Sequence, residues 1–387
     1  MADRGLHIGI DGRELVGKPT GVGRYLSSLL RQWLSAETGS GVSGATRHSR
    51  PPETARGAEH SRPRFTVFLP APPPADLVAL GGPITWQVAP APVAGTWWEQ
   101  TTLAQAATKA GIDVLFAPAY TAPLLFSRPI VLVIHDLSYF AHPEWFGWRE
   151  GVRRRWVTRE AAKRASTIIA VSQFSADEIV RRLNVASGRV LVAPHGAPAF
   201  VPGPPGRRPP TVLFVGSLFN RRRIPELIAG FADAAKQVPG AKLVLVGDNR
   251  THPPIDPITI AAGLGVGSSV EWRQYVPDAD LESLYASARV FAFLSDYEGF
   301  AMTPLEAIAH GVPPVLLDTP VAREVYGAAA RFVTLDRGAI AGALATLLGD
   351  EDAHRRLAAE GPGQLARYSW PASAATVMRA LEEAAAR

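Results

Sequence analysis

The chain has 387 residues, no cysteine and a formal charge of +5; this length exceeds one ordinary core and predicts two domains, while disulfides and thiolate metal sites are excluded. No apolar run reaches the roughly 18 residues of a membrane span, and Met1–Arg4 is too short and polar for a signal peptide, so the expected location is the cytoplasm. The positive charge suits nucleic acid, an anionic membrane face or a phosphate-bearing substrate, but no zinc finger, RNA-binding signature or aromatic-basic repeat accompanies it, which sets nucleic acid last.

In chain order, the first strand is predicted at Leu6–Ile10, followed by a turn at Asp11-Gly12-Arg13 and a loop with glycines at 17, 21 and 23. A helix follows, with Tyr25, Leu26, Leu29, Leu30, Trp33 and Leu34 at helical spacing. The glycines serve either the turn alone or the approach of backbone N–H groups to a phosphate. Glu37–Arg64 is almost free of apolar residues and reads as a surface insertion. Strands are expected at Phe65–Leu69 and Ile84–Val88, and Trp97-Trp98 opens a helix towards Lys109. Two adjacent side chains cannot both face one core, so one tryptophan belongs at a crevice or packing seam.

Val114–Phe116 and Ile130–Ile134 are apolar throughout, as in a parallel sheet covered on both faces. The second ends in His135-Asp136, where a histidine can hydrogen-bond a hydroxyl or take a proton, unless the pair only shapes the loop. Helix Arg149–Arg164 is the most basic in the chain; it fits peripheral contact with anionic lipid or a solvated face. Strand Thr167–Val171, a helix capped by Ser172 or Ser175, and strand Arg189–Val192 complete a first domain over 1–197, before the linker VPGPPGRRPP.

A second domain is expected over 211–370. Strand Thr211–Val215 leads to Gly216-Ser217 and then to Arg221-Arg222-Arg223 beside a helix start. Cations there oppose the helix dipole unless an anion lies between, so the triplet points to phosphate. Strands follow at Lys242–Val246, Val270–Trp272, Val290–Leu294, Val315–Leu317 and Arg331–Val333, alternating with helices. Both halves are therefore doubly wound α/β, and two such sheets facing each other make one cleft at the carboxyl ends of their strands. Helices over 352–367 and 371–387 add no strand, the last returning to the first domain.

Within Val290–Asp318, Thr303 is expected to cap a helix, with Pro304 in its first turn and Glu306 completing a capping box. Glu298 in the loop and Glu306 in the helix frame this turn. Either one faces a sugar and the other a ribose, or they are a solvated acid and a cap.

The segment EGFAMTPLEAIAHGVP, with its E-x7-E spacing, stands beside a VLVIHD strand end, a GVGRY loop, an FVGSL strand and loop, and a late SW element. Together these resemble the bacterial GT4-type retaining nucleotide-sugar glycosyltransferases of the group 1 family, whose GT-B fold sets two Rossmann-like domains across a cleft. WWEQ and GIDVLFAPAYTAP resemble the members that build O-chains and surface mannans. The resemblance implies transfer of a hexose, mannose being the leading candidate, from a nucleotide-diphosphate sugar such as GDP-mannose. The acceptor would be a glycan or lipid-linked glycan of surface polysaccharide synthesis, handled in the cytoplasm or at the inner membrane face.

By the same resemblance, Glu298 faces the donor sugar and Glu306 the ribose, with His135, Glu298 and Arg222 as the catalytic set. Gly216, Ser217, Gly299, Phe300 and Ala301 line the donor, and Gly21 and Gly23 approach its phosphates. Arg222 stands where a lysine is common, and Ser217 where an arginine is often found. The basic clamp that the resemblance implies on the diphosphate makes a divalent ion unnecessary, so neither metal nor cofactor is expected. Ala301 replaces a common glycine and Pro314 adds a proline, changes that bear on the donor sugar. Competing readings are a glycogen-synthase-like enzyme or sugar-nucleotide epimerase of the same fold, or a non-enzymatic nucleic-acid or regulatory binding protein.

Overall fold

A computed structural model describes residues 5–17, 20–35, 63–93, 95–201 and 206–387; the insertion expected over Glu37–Arg64 lies outside them as far as residue 62, and Arg64 is already in a strand. Strands β1 His7–Asp11, β2 Arg64–Leu69, β3 Ile84–Val88, β4 Val114–Ala117, β5 Ile130–Ile134, β6 Thr167–Ala170 and β7 Val190–Val192 form one sheet in the order β3-β2-β1-β4-β5-β6-β7. Strands β8 Thr211–Val215, β9 Lys242–Val246, β10 Val270–Arg273, β11 Val290–Phe293, β12 Pro314–Leu317 and β13 Arg331–Val333 form a second in the order β10-β9-β8-β11-β12-β13. Every pairing is parallel. Ladders between apolar strands with helices on both faces bury Ile8, Val131, Leu213 and Phe291 completely or nearly so, which is why these strands read as unbroken apolar runs.

The order reverses between β1 and β4 in the first sheet and between β8 and β11 in the second. At such points the two flanking loops diverge and leave a crevice beyond the strand ends. In the first sheet that crevice is bordered by Asp11–Arg13; Asp11, expected in the turn, is instead the last residue of β1, opposite Phe68, and is buried. Its carboxylate lies 3.3 Å from Arg13, which also donates to Glu99 at 2.8 Å and to Thr121 at 2.7 Å.

The Trp97-Trp98 pair divides as the helical geometry requires. Trp98 is buried and donates to the Ala89 carbonyl at 2.7 Å, while Trp97 is exposed. The helix expected over 352–367 is two helices, Glu351–Ala359 and Gly361–Leu365, because Gly361-Pro362-Gly363 interrupts the run. The last helix, Trp370–Ala385, is capped by Ser369 and lies against helix Gly21–Ser35 and strands β4, β5 and β6. Trp33 donates to the carbonyl of Ala374 at 3.1 Å, and the two passages of the chain between the domains are joined by Ala197 N–H to Tyr368 O, 3.1 Å.

Candidate active site

The crevice of the second sheet lies between the loops after β8 and β11. Gly216, at φ 142°, lets the first loop turn under Arg222: a Cβ on Gly216 would lie 2.2 Å from the Arg222 Nη1. Arg222 donates to the Ser217 carbonyl at 2.9 Å, and its guanidinium covers the Phe293 ring at 4.9 Å. The second loop brings Glu298 to meet it. One oxygen, Oε1, lies 3.3 Å from Nε of Arg221 and 3.3 Å from Nε of Arg222, and accepts from Ser295 Oγ at 2.9 Å. Burial pushes this carboxyl up, but the two guanidiniums and Ser295 outweigh it and hold Glu298 below the usual carboxylate range. Arg223, in the left-handed region at φ 50°, pairs with Asp296 at 2.5 Å and with Glu226 at 3.4 Å. The arginine triplet thus meets the anions its position calls for, and they are the protein's own carboxylates.

Glu306 occupies a different setting from the expected capping box. Met302 is already helical in backbone angles (φ −86°, ψ −31°), so it takes the place before the helix Thr303–Ala309 and no side chain caps the N-terminus. The Glu306 carboxylate is free to turn outward: Oε2 accepts from the Tyr285 hydroxyl at 2.8 Å, and Oε1 lies 3.7 Å from Arg24 of the first domain. The non-helical residue is Ala301, at φ 59°. The Tyr326 hydroxyl holds it, donating to the carbonyls of Phe300 (3.0 Å) and Ala301 (2.5 Å). After burial, both Glu298 and Glu306 contribute to raising the pKa of Tyr326, so the two carboxylates bear on one hydroxyl.

The loop carrying Glu298 is docked on the first domain. A Cβ on Gly299 would fall 1.6 Å from the carbonyl oxygen of His135. Ser172 and Ser175 donate to the Gly299 carbonyl at 2.6 and 3.2 Å. Nearby, Glu324 accepts from the N–H groups of Gln173 and Phe174 at 2.7 and 2.8 Å, closing the N-terminus of helix Gln173–Leu183 from the opposite domain. Phe300 continues the contact, 5.0 Å from the ring of His195.

His135 sits behind this loop, edge-on to Tyr25 at 5.0 Å, with Nε2 2.9 Å from the carbonyl of Pro118. A carbonyl only accepts, so Nε2 carries the hydrogen and Nδ1 of the neutral ring is an acceptor. Burial lowers the pKa of His135 against the opposing pull of that carbonyl and Asp136, which keeps the ring neutral. Gly23 is needed for packing, since a Cβ there would meet the Glu14 carbonyl at 2.3 Å, whereas a Cβ on Gly21 would meet nothing within 4 Å.

His135, Gly216, Ser217, Arg222, Glu298, Gly299, Phe300 and Ala301 therefore converge on one seam, and Glu306 joins it through Arg24. Sequence reasoning missed Arg24, Tyr285, Ser172 and Ser175 as members of this assembly. Arg24 lies inside the GVGRY loop, which offered a signal; Tyr285 is an ordinary apolar helix position and offered none.

Two sequence-family descriptions match successive parts of the chain. "Glycosyltransferase Family 4" covers residues 20–199 and "Glycosyl transferases group 1" covers 202–364. The chain belongs to the group 1, family 4 glycosyltransferases. Among curated relatives of this glycosyltransferase, the O-antigen chain mannosyltransferase B of Escherichia coli is 27% identical over 277 residues, 66% of this chain and 71% of that protein. The GDP-mannose:cellobiosyl-diphosphopolyprenol alpha-mannosyltransferase of Xanthomonas oryzae is 25% identical over 270 residues, 67% of this chain and 69% of that one. Among solved structures, HepE of Anabaena, crystallised with UDP and glucose, superimposes with a TM-score of 0.70 at 18% identity, over 98% of this chain and 100% of its own. The glycosyltransferase thus has the GT-B fold, each sheet with its own switch point turned to the shared seam.

Proposed function

We propose that this glycosyltransferase moves a hexose, most simply mannose, from a nucleotide-diphosphate sugar to a hydroxyl of a glycan or lipid-linked acceptor in surface polysaccharide synthesis, with retention at the anomeric carbon. The observation that carries the reading is the pairing of Glu298 with Arg221 and Arg222 at the switch point of the second sheet, under a loop seated on His135. Glu298, held ionised, is an acceptor for hydroxyls of the donor sugar. Glu306, already bonded to one hydroxyl at Tyr285, is suited to those of a ribose. The mannosyltransferases among the relatives favour GDP-mannose as donor.

In the reaction the bond between the anomeric carbon and the leaving diphosphate oxygen breaks, and a bond from the acceptor oxygen to that carbon forms on the same face. The acceptor proton passes to the departing diphosphate. Arg222, together with the backbone N–H of Ser217 and the start of helix Gly21–Ser35, offsets the charge that grows there. Neutral His135 offers Nδ1 as acceptor to a hydroxyl of the transferred sugar, so the ring orients and does not compete for the proton.

Peripheral membrane contact belongs to the same reading. Among the described residues no helix is long and apolar enough to cross a membrane, but helix Trp148–Arg164 exposes Trp148 (73%), Val152 (51%) and Trp156 (57%) at a spacing of four. Arg149, Arg153, Arg159 and Lys163 are exposed around them, a combination that suits an anionic lipid surface. The reading is tested by thermal stabilisation with GDP-mannose, UDP-glucose and their nucleotides, followed by transfer to a polyprenyl-diphosphate glycan. Absence of stabilisation and of transfer with every sugar nucleotide would overturn it. Flotation with anionic and neutral vesicles, comparing wild type with the Trp148→Ser/Trp156→Ser double variant, tests the membrane face.

A further inference from the structure

The diphosphate of a nucleotide sugar needs cations, and the charge of the Arg221–Arg223 loop is already partly balanced by carboxylates. Arg221 and Arg222 share the carboxylate of Glu298, Arg222 also bonds the Ser217 carbonyl, and Arg223 is paired with Asp296 and Glu226. Ser217 itself brings no charge. Across the seam, Arg24 is held differently. Its guanidinium lies 3.7 Å from Glu306 and 4.0 Å from Asp278, with no hydrogen bond to either among the described residues, and the side chain is 47% exposed. Such loose pairs contribute little and can be exchanged at small cost.

The position is also unfavourable for a cation standing alone. Arg24 lies in the first turn of helix Gly21–Ser35, where the exposed N–H groups already carry partial positive charge. Thr20 Oγ1 satisfies the N–H of Gly23 at 2.9 Å, but the N–H groups of Gly21 and Val22 make no hydrogen bond among the described residues. Among the described residues a Cβ on Gly21 would meet nothing within 4 Å, which leaves space there. An anion in that space would be bound by the helix start and by Arg24 together, and would turn an opposing charge into a supporting one.

We propose that Arg24 is a donor-binding residue of the first domain: on binding, it leaves Glu306 and Asp278 and bonds the diphosphate, freeing Glu306 for the ribose. This rests on the placing of the donor between Glu298 and Glu306. Because Arg24 and Glu306 belong to different domains, the exchange makes the diphosphate a bridge between them, and a nucleoside monophosphate is too short to complete it.

The test is titration calorimetry of GDP and GMP, with UDP and UMP alongside, on wild type, Arg24→Ala, Arg24→Lys and Glu306→Gln. Arg24→Ala should lose about tenfold or more in affinity for the diphosphate and less than about twofold for the monophosphate, as expected for one charge-assisted hydrogen bond. Arg24→Lys should recover part of the loss, and in transfer assays the donor KM should rise more than kcat falls. An equal loss for both nucleotides, or no loss, overturns the role of Arg24. Glu306→Gln separates the two ideas: if it weakens both nucleotides while Arg24→Ala weakens neither, only the Arg24 proposal fails. If Glu306→Gln changes neither, the donor site is misplaced and both fail.

Discussion

The α-carbon of Gly299 rests on the carbonyl oxygen of His135, so closely that a methyl group in its place would stand 1.6 Å from that oxygen. The obstacle is backbone, which cannot swing aside as a flexible side chain could. Gly299→Ala is therefore expected to lift the Glu298 loop from the first domain. A displacement of about 1 Å at a reacting centre costs on the order of 100-fold in rate, so kcat should fall by at least that much. Affinity for the free nucleotide should stay within a few-fold, because Glu306 and Tyr285 are untouched. Steady-state kinetics beside nucleotide titration checks the split; a parallel loss in both would contradict it.

The two carboxylates of the E-x7-E segment should separate by readout. Glu298→Gln removes the anion that balances Arg221 and Arg222, and transfer should fall by roughly 100-fold or more, as when one preorganised group is lost from a charged site. Nucleotide affinity should hold or rise slightly, since Arg222 becomes available to phosphate. Glu306→Ala should instead weaken the nucleotide by about tenfold and leave the buried Tyr285 hydroxyl without its acceptor, at about 1–3 kcal/mol of stability. Calorimetry and thermal unfolding on the two variants decide the assignment.

Ala301 adopts the left-handed region that alanine enters only with strain. Replacing it by glycine should stabilise the fold by up to about 1 kcal/mol, a gain reduced by the greater freedom glycine has when unfolded. The urea midpoint measures this. If Ala301→Gly lowers the midpoint, the methyl group is contributing packing that exceeds its strain.

Asp11 gives the chain a pH dependence of definite sign. Burial raises its pKa from 3.8 to about 6, Arg13 pulling it back and Glu99 pushing it further up. An acid whose folded pKa is raised holds its proton longer in the native state than in the unfolded one. Its contribution to stability is therefore fully present below about pH 4 and is lost as pH rises to about 6. At about 1.4 kcal/mol per unit the loss is on the order of 2–3 kcal/mol. Asp11→Asn should flatten that part of the stability curve, with Arg13 still held by Glu99 and Thr121; urea unfolding at pH 4, 5, 6 and 7 follows it, and superimposable slopes for the two proteins would refute the assignment.

What could be read from the sequence was what is local. The thirteen strands among the described residues form where apolar runs predicted them, since a strand buried on both faces needs little beyond its own composition. The E-x7-E spacing was equally visible. Thr303 fits a capping box only where it is itself extended at the N-cap; here Ala301 absorbs the turn, Met302 is already helical and Thr303 lies inside the helix. The arginine triplet points to phosphate in the sequence, and in the fold its partners are the carboxylates of Glu298, Asp296 and Glu226, two of these from a loop far along the chain. The partnerships of Arg24 with Glu306 and of Ser172 with Gly299 depend on how two domains meet, and no periodicity within either half encodes that.

The last helix has a consequence for how the protein comes into being. Val377, Ala380, Leu381 and Ala384 are buried, in a helix laid on strands β4, β5 and β6 and on helix Gly21–Ser35. Synthesis proceeds from the first domain through the second before that helix emerges from the ribosome. Until that helix is made, one side of the first domain's core lacks the cover it has in the finished fold. Although domains usually mature in the order of translation, here the first one takes part of its cover from a segment made after the second.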